Sequence, residues 1–300
     1  MGTENWGELI VISGATASGK TAMAIELAER LGCEIVNADS RQVYKEMLIG
    51  TAAPTPEEMR GITHHMVRYR SVKCPMNAFD YEQEVMRLLP DAMRRGNGRA
   101  ILAGGSMMYI DAIVKGIDEM PTISEETRKM VLERYEAEGL QAITEWLRSL
   151  DEKYYNEADL KNPRRVLHAI EICIENGGKV SDLRLGRAKE RPFSIRKFCT
   201  SMERSELYKR IDSRVDKMIE AGLEEEVRSL TGFRDSSPLL TVGYREMMEY
   251  LDGNISLEEA IAKIKHNTHR YAKKQETWLK RDGDYVAVSS RQDVCNLCGL

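Results

Sequence analysis

Cysteine is scarce, six in 300 residues. That is too sparse for the disulfide framework of a stapled secreted domain and fits a reducing compartment. No apolar run approaches the roughly 20 residues that span a bilayer, so no membrane segment is expected. The longest early run, Leu9 to Ile12, follows Glu4 and Glu8 without a basic leader, which argues against a secretory signal. Met1-Gly2 is followed by Trp6 where a myristoylation site wants Ser or Thr. Internal repeats and low-complexity segments are missing as well. What remains is the 31% charged, 42% hydrophobic mix of an ordinary soluble globular protein. Its length has room for about two domains. A cytoplasmic protein is expected.

The 44 basic and 48 acidic residues leave a net charge of −4. Evenly spread, that would argue against a nucleic-acid partner, but the charge is clustered. From 181 to 200, Arg184, Arg187, Lys189, Arg191, Arg196 and Lys197 stand against Asp182 and Glu190, for +4. From 263 to 281, Lys263, Lys265, Arg270, Lys273, Lys274, Lys280 and Arg281 stand against Glu276, for +6, leaving −14 elsewhere. A basic footprint on an acidic body fits an enzyme that binds a polyanion. Either segment taken alone also reads as a solvated basic face.

The first third alternates strand and helix signals. Leu9-Ile10-Val11-Ile12, ended by Gly14, reads as a buried parallel strand. Met23, Ala24, Leu27, Ala28 and Leu31 recur at helical spacing, and Gly32 closes that helix. A second strand is expected over 34–38, and a helix over 81–95 that Pro90 should kink or end. A third strand falls at Ala100-Ile101-Leu102-Ala103, before Gly104-Gly105. Such alternation means a parallel α/β sheet.

From 122 to 177 the strand signal vanishes. Thr122 and Glu125 suggest a capping box before a helix with Met130, Val131, Arg134 and Tyr135. Helices follow over 140–150 and 164–176, the last ended by Gly177-Gly178. A returning strand over 193–200, helices over 203–221 and 257–281, and a short strand over 285–288 complete the pattern. The expected architecture is α/β: a P-loop NTPase-like parallel sheet flanked by helices, with an inserted all-helical domain. Residues 1–118 and 190–300 form the core and 119–189 the insertion.

Gly14-Ala15-Thr16-Ala17-Ser18-Gly19-Lys20-Thr21 satisfies G-x-x-x-x-G-K-[ST] between a predicted strand and a predicted helix. Backbone N–H groups of such a loop turn inward around phosphate oxygens, and the helix N-terminus adds partial positive charge. Lys20 adds a full charge, and Thr21 is placed to ligate Mg²⁺. A di- or triphosphate is the expected ligand. From this motif alone a kinase or NTPase is the default.

Asp39 stands at the carboxyl end of the second strand, in Asn37-Ala38-Asp39-Ser40-Arg41-Gln42-Val43-Tyr44. Those strand ends open onto the ligand crevice, so Asp39, the P-loop and Gly104-Gly105-Ser106 should line one cleft. In isolation an Asp-Ser pair is a helix cap; the crevice position favours a role at the ligand. His64-His65 has no suitable third ligand nearby, and Cys295-x-x-Cys298 no second pair, so neither supports a zinc site. Met107-Met108 reads as local packing.

These residues resemble the ordered motifs of the tRNA dimethylallyltransferases (tRNA isopentenyltransferases). The likeness runs from Asp39-Ser40-Arg41-Gln42-Val43-Tyr44 through Ile49-Gly50-Thr51-Ala52, His64-His65, Gly104-Gly105-Ser106 and Met108-Tyr109. It continues with Asn162-Pro163-Arg164-Arg165-Val166 and Ala169-Ile170-Glu171, then Leu207-Tyr208, Ile211, Arg214-Val215 and Met218. Gly222-Leu223, Glu226-Val227, Val242-Gly243-Tyr244, Tyr271-Ala272-Lys273-Lys274-Gln275 and Thr277-Trp278 complete it, so nearly the whole chain is covered. Departures are Ser106 where many relatives have Thr, Met107 where glycine is frequent, and His168 where arginine is common.

The resemblance implies transfer of a dimethylallyl group from its pyrophosphate to N6 of adenosine 37 in the tRNA anticodon loop, with Mg²⁺ as cofactor. A carbon–oxygen bond breaks, so Lys20, loop N–H groups, Mg²⁺ and an arginine would stabilise departing pyrophosphate. Arg214 is the candidate arginine; as a single residue it reads equally as an exposed helix charge. Asp39 would be the general base for the amine, and Ser106 would contact substrate at the transferring centre. Asp39, Ser40, Arg41 and Gln42 would read an extruded base and its neighbours. Arg128 and Arg164, Arg165, Val166, Leu167 and His168 would meet the anticodon stem. Lys273, Lys274 and the 184–197 stretch would supply phosphate-binding charge. A monomer acting on tRNA and dimethylallyl pyrophosphate is expected. Prenylation of free adenine nucleotides, a non-enzymatic RNA-binding switch and a small-metabolite kinase remain as alternatives.

Overall fold

A computed structural model describes residues 5–184, 186 and 188–299, with Arg291 along its backbone alone. Met1, Gly2, Glu4 and Arg187, used above, lie outside the described residues. Contacts divide the chain into two compact units, residues 1–114 with 190–300, and residues 115–189.

The first unit opens with strand β1 (Glu8–Ser13) and helix α1 (Lys20–Leu31), closed by Gly32 in the left-handed region at φ 63. Next come β2 (Glu34–Asn37), a one-turn α2 (Pro56–Met59), a two-residue β3 (His64–His65), and α3 (Ala78–Arg95). β4 (Arg99–Gly104) and α4 (Met107–Val114) complete its first half.

Pro90 does not end α3. It removes one N–H from the ladder, but Leu89, Ala92 and Met93 are fully buried and hold the last turn to the core.

The second unit contains α5 (Glu125–Leu150), α6 (Glu152–Glu157), α7 (Pro163–Asn176) and α8 (Val180–Leu183). Gly139 at φ 77 and ψ 176 kinks α5, splitting it where separate helices were expected. The N-cap of α5 is Ser124, whose hydroxyl accepts from Thr127 N, and not Thr122. Val131, Ile143, Leu147, Val166 and Ile170 form this unit's own dry core.

The chain re-enters the first unit with β5 (Ser194–Thr200), α9 (Arg204–Glu220), α10 (Leu223–Ser229) and a 3-10 turn at Thr231–Phe233. It ends with α11 (Tyr244–Leu251), α12 (Leu257–Asp282), β6 (Val286–Val288) and α13 (Arg291–Leu297).

The six strands form one sheet in the order β3-β2-β4-β1-β5-β6, with every pairing parallel. Side chains alternate between its faces. Ile10, Ile12, Ile35 and Ile101 pack with residues of α1 and α13. Leu9, Val11, Val36 and Leu102 pack with residues of α3, α4, α11 and α12. Both faces are covered, as the uninterrupted apolar runs require. The carboxyl ends of β1, β2 and β4 therefore open on the same edge, and the loops that follow them build the site.

Candidate active site

The loop after β1 is shaped by packing before any ligand arrives. A Cβ on Gly14 would fall 1.9 Å from Thr200 Oγ1, so only glycine fits beneath the end of β5. Gly19 precedes α1 at φ 89, a left-handed conformation that glycine adopts freely. Ala17 sits at φ 63 without that freedom, a strained position of the kind found around ligand clamps. Ser18 Oγ donates to Ala15 O at 2.7 Å and shares a 2.5 Å hydrogen bond with Thr200 Oγ1.

Buried Gln275 on α12 joins two loops. Its Oε1 accepts from Thr16 N and its Nε2 donates to Gly105 O, each at 2.8 Å. Sequence reasoning quoted this glutamine without assigning it a task. A polar residue on the apolar side of an amphipathic helix was the available signal.

Lys20 Nζ donates to Ala15 O at 3.2 Å. Burial, with help from Arg214, pulls its pKa down to about 8, and Asp39 opposes the shift. Arg214 Nη1 donates to Thr16 Oγ1 at 3.4 Å. Burial lowers its pKa too, opposed by Asp39 and Glu58. Arg214 is thus half-buried beside the P-loop and lines the cavity there, and is not an exposed helix charge.

Asp39 combines both of its readings. Its Oδ1 accepts from Arg41 N at 2.9 Å and Gln42 N at 3.3 Å, capping the turn that follows β2. Its Oδ2 takes no hydrogen bond among the described residues, so the turn fixes the carboxylate while leaving one oxygen free. Ser106, buried after β4, accepts from Ser40 N at 2.8 Å and lies 3.1 Å from Ser40 Oγ. Gln42 is placed differently from expectation: its Nε2 donates to Thr51 O and Ala52 O, both at 3.1 Å. Only its carbonyl oxygen remains for a ligand. Arg41 donates to Ser237 O at 3.1 Å.

Two cavities meet at this carboxylate. One, of about 720 Å³, contains Lys20, Thr21 and the P-loop wall. The other, of about 480 Å³, is lined mainly by apolar groups, with Ser40, Arg41, Ser106, Met107, Met108 and Tyr271. Thr16, Asp39, Thr51, Arg214 and Met218 line both. Burial pushes the Tyr271 hydroxyl up to about 12, so it stays a neutral donor at the second cavity. Glu226 on α10 holds the shared wall. It accepts from Leu48 N and Ile49 N at 2.7 Å, Gly50 N at 2.9 Å and Tyr244 Oη at 2.6 Å.

The expected charge footprint needs correction. Arg191, Arg196 and Lys197 do not form a phosphate-binding stretch. Arg191 is buried against Glu82 at 2.5 Å, Arg196 Nη2 reaches Glu8 at 2.7 Å, and Lys197 pairs with Asp282 at 2.7 Å. These cations tie β5 and its flanks to the fold. Arg184 lies over the Tyr154 ring, its Cζ 5.2 Å from the centroid. On α12, Lys263 pairs with Glu249 and Lys265 with Asp216. Arg270, Lys273, Lys274, Lys280 and Arg281 are exposed and take no acidic partner among the described residues.

In the second unit Arg128, Arg164, Arg165 and His168 are exposed, and His168 Nδ1 lies 3.1 Å from Glu171. Leu167 is half-buried. Val166 is fully buried in that unit's core and presents no side chain to RNA, which corrects the expectation for it. His65 lies 2.7 Å from Glu34, and His64 Nδ1 2.9 Å from Ile62 O. No group of three candidate metal ligands of the His, Cys, Asp and Glu type occurs among the described residues.

A P-loop at the head of a parallel sheet, facing a half-free carboxylate, defines an α/β protein of the P-loop class with an acid beside its loop. Residues 42–282 match the family model described as IPP transferase. The chain is 49% identical to "tRNA dimethylallyltransferase 1" of Phocaeicola vulgatus over 278 residues, covering 93% of this chain and 92% of that one. It is 48% identical to the protein of the same name from Bacteroides thetaiotaomicron over 274 residues, covering 91% and 89%. A crystal structure of tRNA delta(2)-isopentenylpyrophosphate transferase from Staphylococcus epidermidis superposes with TM-score 0.69 at 33% identity, covering 98% and 97%. The chain belongs to the IPP transferase family.

Proposed function

We propose that this protein is a tRNA-modifying transferase that moves a dimethylallyl group from dimethylallyl pyrophosphate to N6 of adenosine 37 beside the anticodon. The observation that carries the reading is Asp39: one carboxylate oxygen is fixed by two backbone N–H groups and the other is free where two cavities meet. Pyrophosphate belongs in the P-loop cavity, and the extruded purine in the more apolar one.

The allylic carbon–oxygen bond breaks, its electron pair leaves with pyrophosphate, and the carbon bonds N6. Asp39 takes the proton that N6 releases, a role worth about 10²–10⁴ in rate. Lys20, Arg214 and the loop N–H groups stabilise charge growing on the leaving oxygen. Thr21, exposed at the start of α1 and facing the same cavity, offers the hard oxygen that suits Mg²⁺ with phosphate oxygens and water. When bound there, Mg²⁺ would neutralise the departing pyrophosphate. Ser106 orders Ser40 and the turn beside the transferring centre.

Ser40, Arg41 and the carbonyl oxygen of Gln42 face the target base and its neighbours. Lys273 and Lys274, with Arg128, Arg164, Arg165, Leu167 and His168, contact the RNA around it. No described helix is long and apolar enough to cross a membrane, and the reading takes the protein as a cytoplasmic monomer.

The test is mass spectrometry of anticodon-loop nucleosides after incubation with dimethylallyl pyrophosphate, Mg²⁺ and unmodified tRNA. A dimethylallyl mass on adenosine 37 is expected. Catalytic ATP consumption with no alkylated RNA would overturn the reading.

A further inference from the structure

The P-loop cavity holds cations that the loop itself does not account for. Lys20 and Arg214 are matched in its lining by Asp39 and Glu58, and Arg60 is matched by Glu29 at 3.4 Å. Those residues alone leave no net charge for an organic diphosphate, which carries about −3 at neutral pH. With the Arg60–Glu29 pair set aside, two further lining residues, Arg68 and Lys217, bring +2, and Arg68 also lies near enough to favour the charged form of Glu57 outside the lining.

Arg68 follows β3 on backbone at φ 50, a left-handed conformation that a long side chain rarely adopts. Its N–H donates to Gln42 O at 3.0 Å, anchoring it to the Asp39 turn. Nη2 reaches only Pro54 O at 3.4 Å, and Nε is buried with no partner. Among the described residues its guanidinium takes no carboxylate hydrogen bond, so its N–H donors can serve an anion in the cavity that Arg68 lines. Lys217 lies three residues beyond Arg214 on α9, hence on the same helical face. It is exposed at the rim and takes no acidic partner among the described residues.

We propose that Arg68 and Lys217 bind the distal phosphate of the diphosphate ligand and set the preference for a diphosphate over a monophosphate. Lys20 and Arg214 serve the phosphate nearest the reacting carbon, and Arg68 and Lys217 grip the one beyond it. The proposal rests on the prenyl-donor reading for the identity of the ligand, but not for its charge.

The test measures binding of inorganic pyrophosphate and of inorganic phosphate to the full chain with Mg²⁺, by titration calorimetry. Arg68→Gln should weaken pyrophosphate about tenfold and Lys217→Gln about threefold, with phosphate nearly unmoved. Arg68→Lys and Lys217→Arg should recover most of the loss. In turnover, the KM for the donor should rise in the same proportion while the KM for tRNA stays put. Should Arg68→Gln fail to fold, Lys217→Gln on its exposed helix surface decides alone.

Unchanged pyrophosphate affinity, an equal loss of both anions, or no pyrophosphate binding by the unaltered protein would each overturn the proposal. Selective loss of pyrophosphate in a protein that never alkylates tRNA would uphold the two cations and sink prenyl transfer. Transfer with intact pyrophosphate binding in the variants would do the reverse.

Discussion

Asp39→Asn separates chemistry from architecture. An asparagine carbonyl can keep accepting from Arg41 N and Gln42 N, the two hydrogen bonds at 2.9 and 3.3 Å that fix the turn. What it loses is basicity at the free oxygen. Loss of a positioned base should cost about 10²–10⁴ in the rate of transfer, or roughly 2.7–5.4 kcal/mol of barrier. Asp39→Ala removes the same base and also strands two turn N–H groups, adding about 0.5–2 kcal/mol of instability by analogy with lost helix caps. The assay is single-turnover transfer to unmodified tRNA under saturating donor, paired with tRNA affinity and a thermal melt for each variant. Asn should match Ala in rate, bind tRNA nearly as the unaltered protein does, and melt above Ala. A less than tenfold loss in Asp39→Asn, or a loss of tRNA affinity equal to the loss of rate, would refute Asp39 as the base.

Lys20 sets an alkaline limit. In the proposed reading its protonated form binds the donor, and its pKa is lowered to about 8, so kcat/KM for the donor should fall as pH rises through 8. Asp39 favours that proton, so the limb should move lower in Asp39→Asn; a flat profile to pH 9 would count against Lys20 as the phosphate cation. Replacing Lys273 and Lys274 by Gln should weaken tRNA binding and reduce the log–log salt slope by about 0.7–0.9 per lysine. An unchanged slope would return that face of α12 to plain solvation. Arg191→Ala leaves Glu82 buried without its guanidinium, from a pair whose side chains are 7% and 2% exposed. Urea unfolding should report a loss of about 3–5 kcal/mol, with most of it recovered when Glu82 is made Leu alongside Arg191→Met. A loss below about 1 kcal/mol would show the pair to be dispensable.

The sheet was legible wherever burial on both faces leaves an uninterrupted apolar run. Leu9 to Ile12 and Ala100 to Ala103 announce β1 and β4 because every position must be apolar there. β3 has only His64 and His65, too short for any period, and its place beside β2 comes from register alone. Pro90 misleads because a missing backbone donor is a local penalty, whereas Leu89, Ala92 and Met93 answer to the tertiary core. The same conflict moves the cap of α5 to Ser124: a capping motif names residue types, and the first turn that packs decides which of them caps.

Charge is where linear reading fails most. Arg191, Arg196 and Lys197 fall within seven residues and Arg270, Lys273 and Lys274 within five, and nothing local distinguishes the two groups. Glu82, Glu8 and Asp282, which neutralise the first group, come from distant segments that meet it only after folding. The P-loop was legible because its glycines answer in part to local constraints, the αL opening at Gly19 and the closeness of Ser18 Oγ to Gly14. Arg68 has no such signature. It reaches the cavity because β3 joins the sheet edge and hands the chain back to Gln42. In the proposed reading phosphate recognition has two parts: a loop and its lysine that a short motif can encode, and further cations from α9 and the segment after β3 that the motif does not contain. Selectivity among phosphorylated ligands would then belong to the second part, because loop amides grip any phosphate while the attraction of the further cations grows with the number of phosphates.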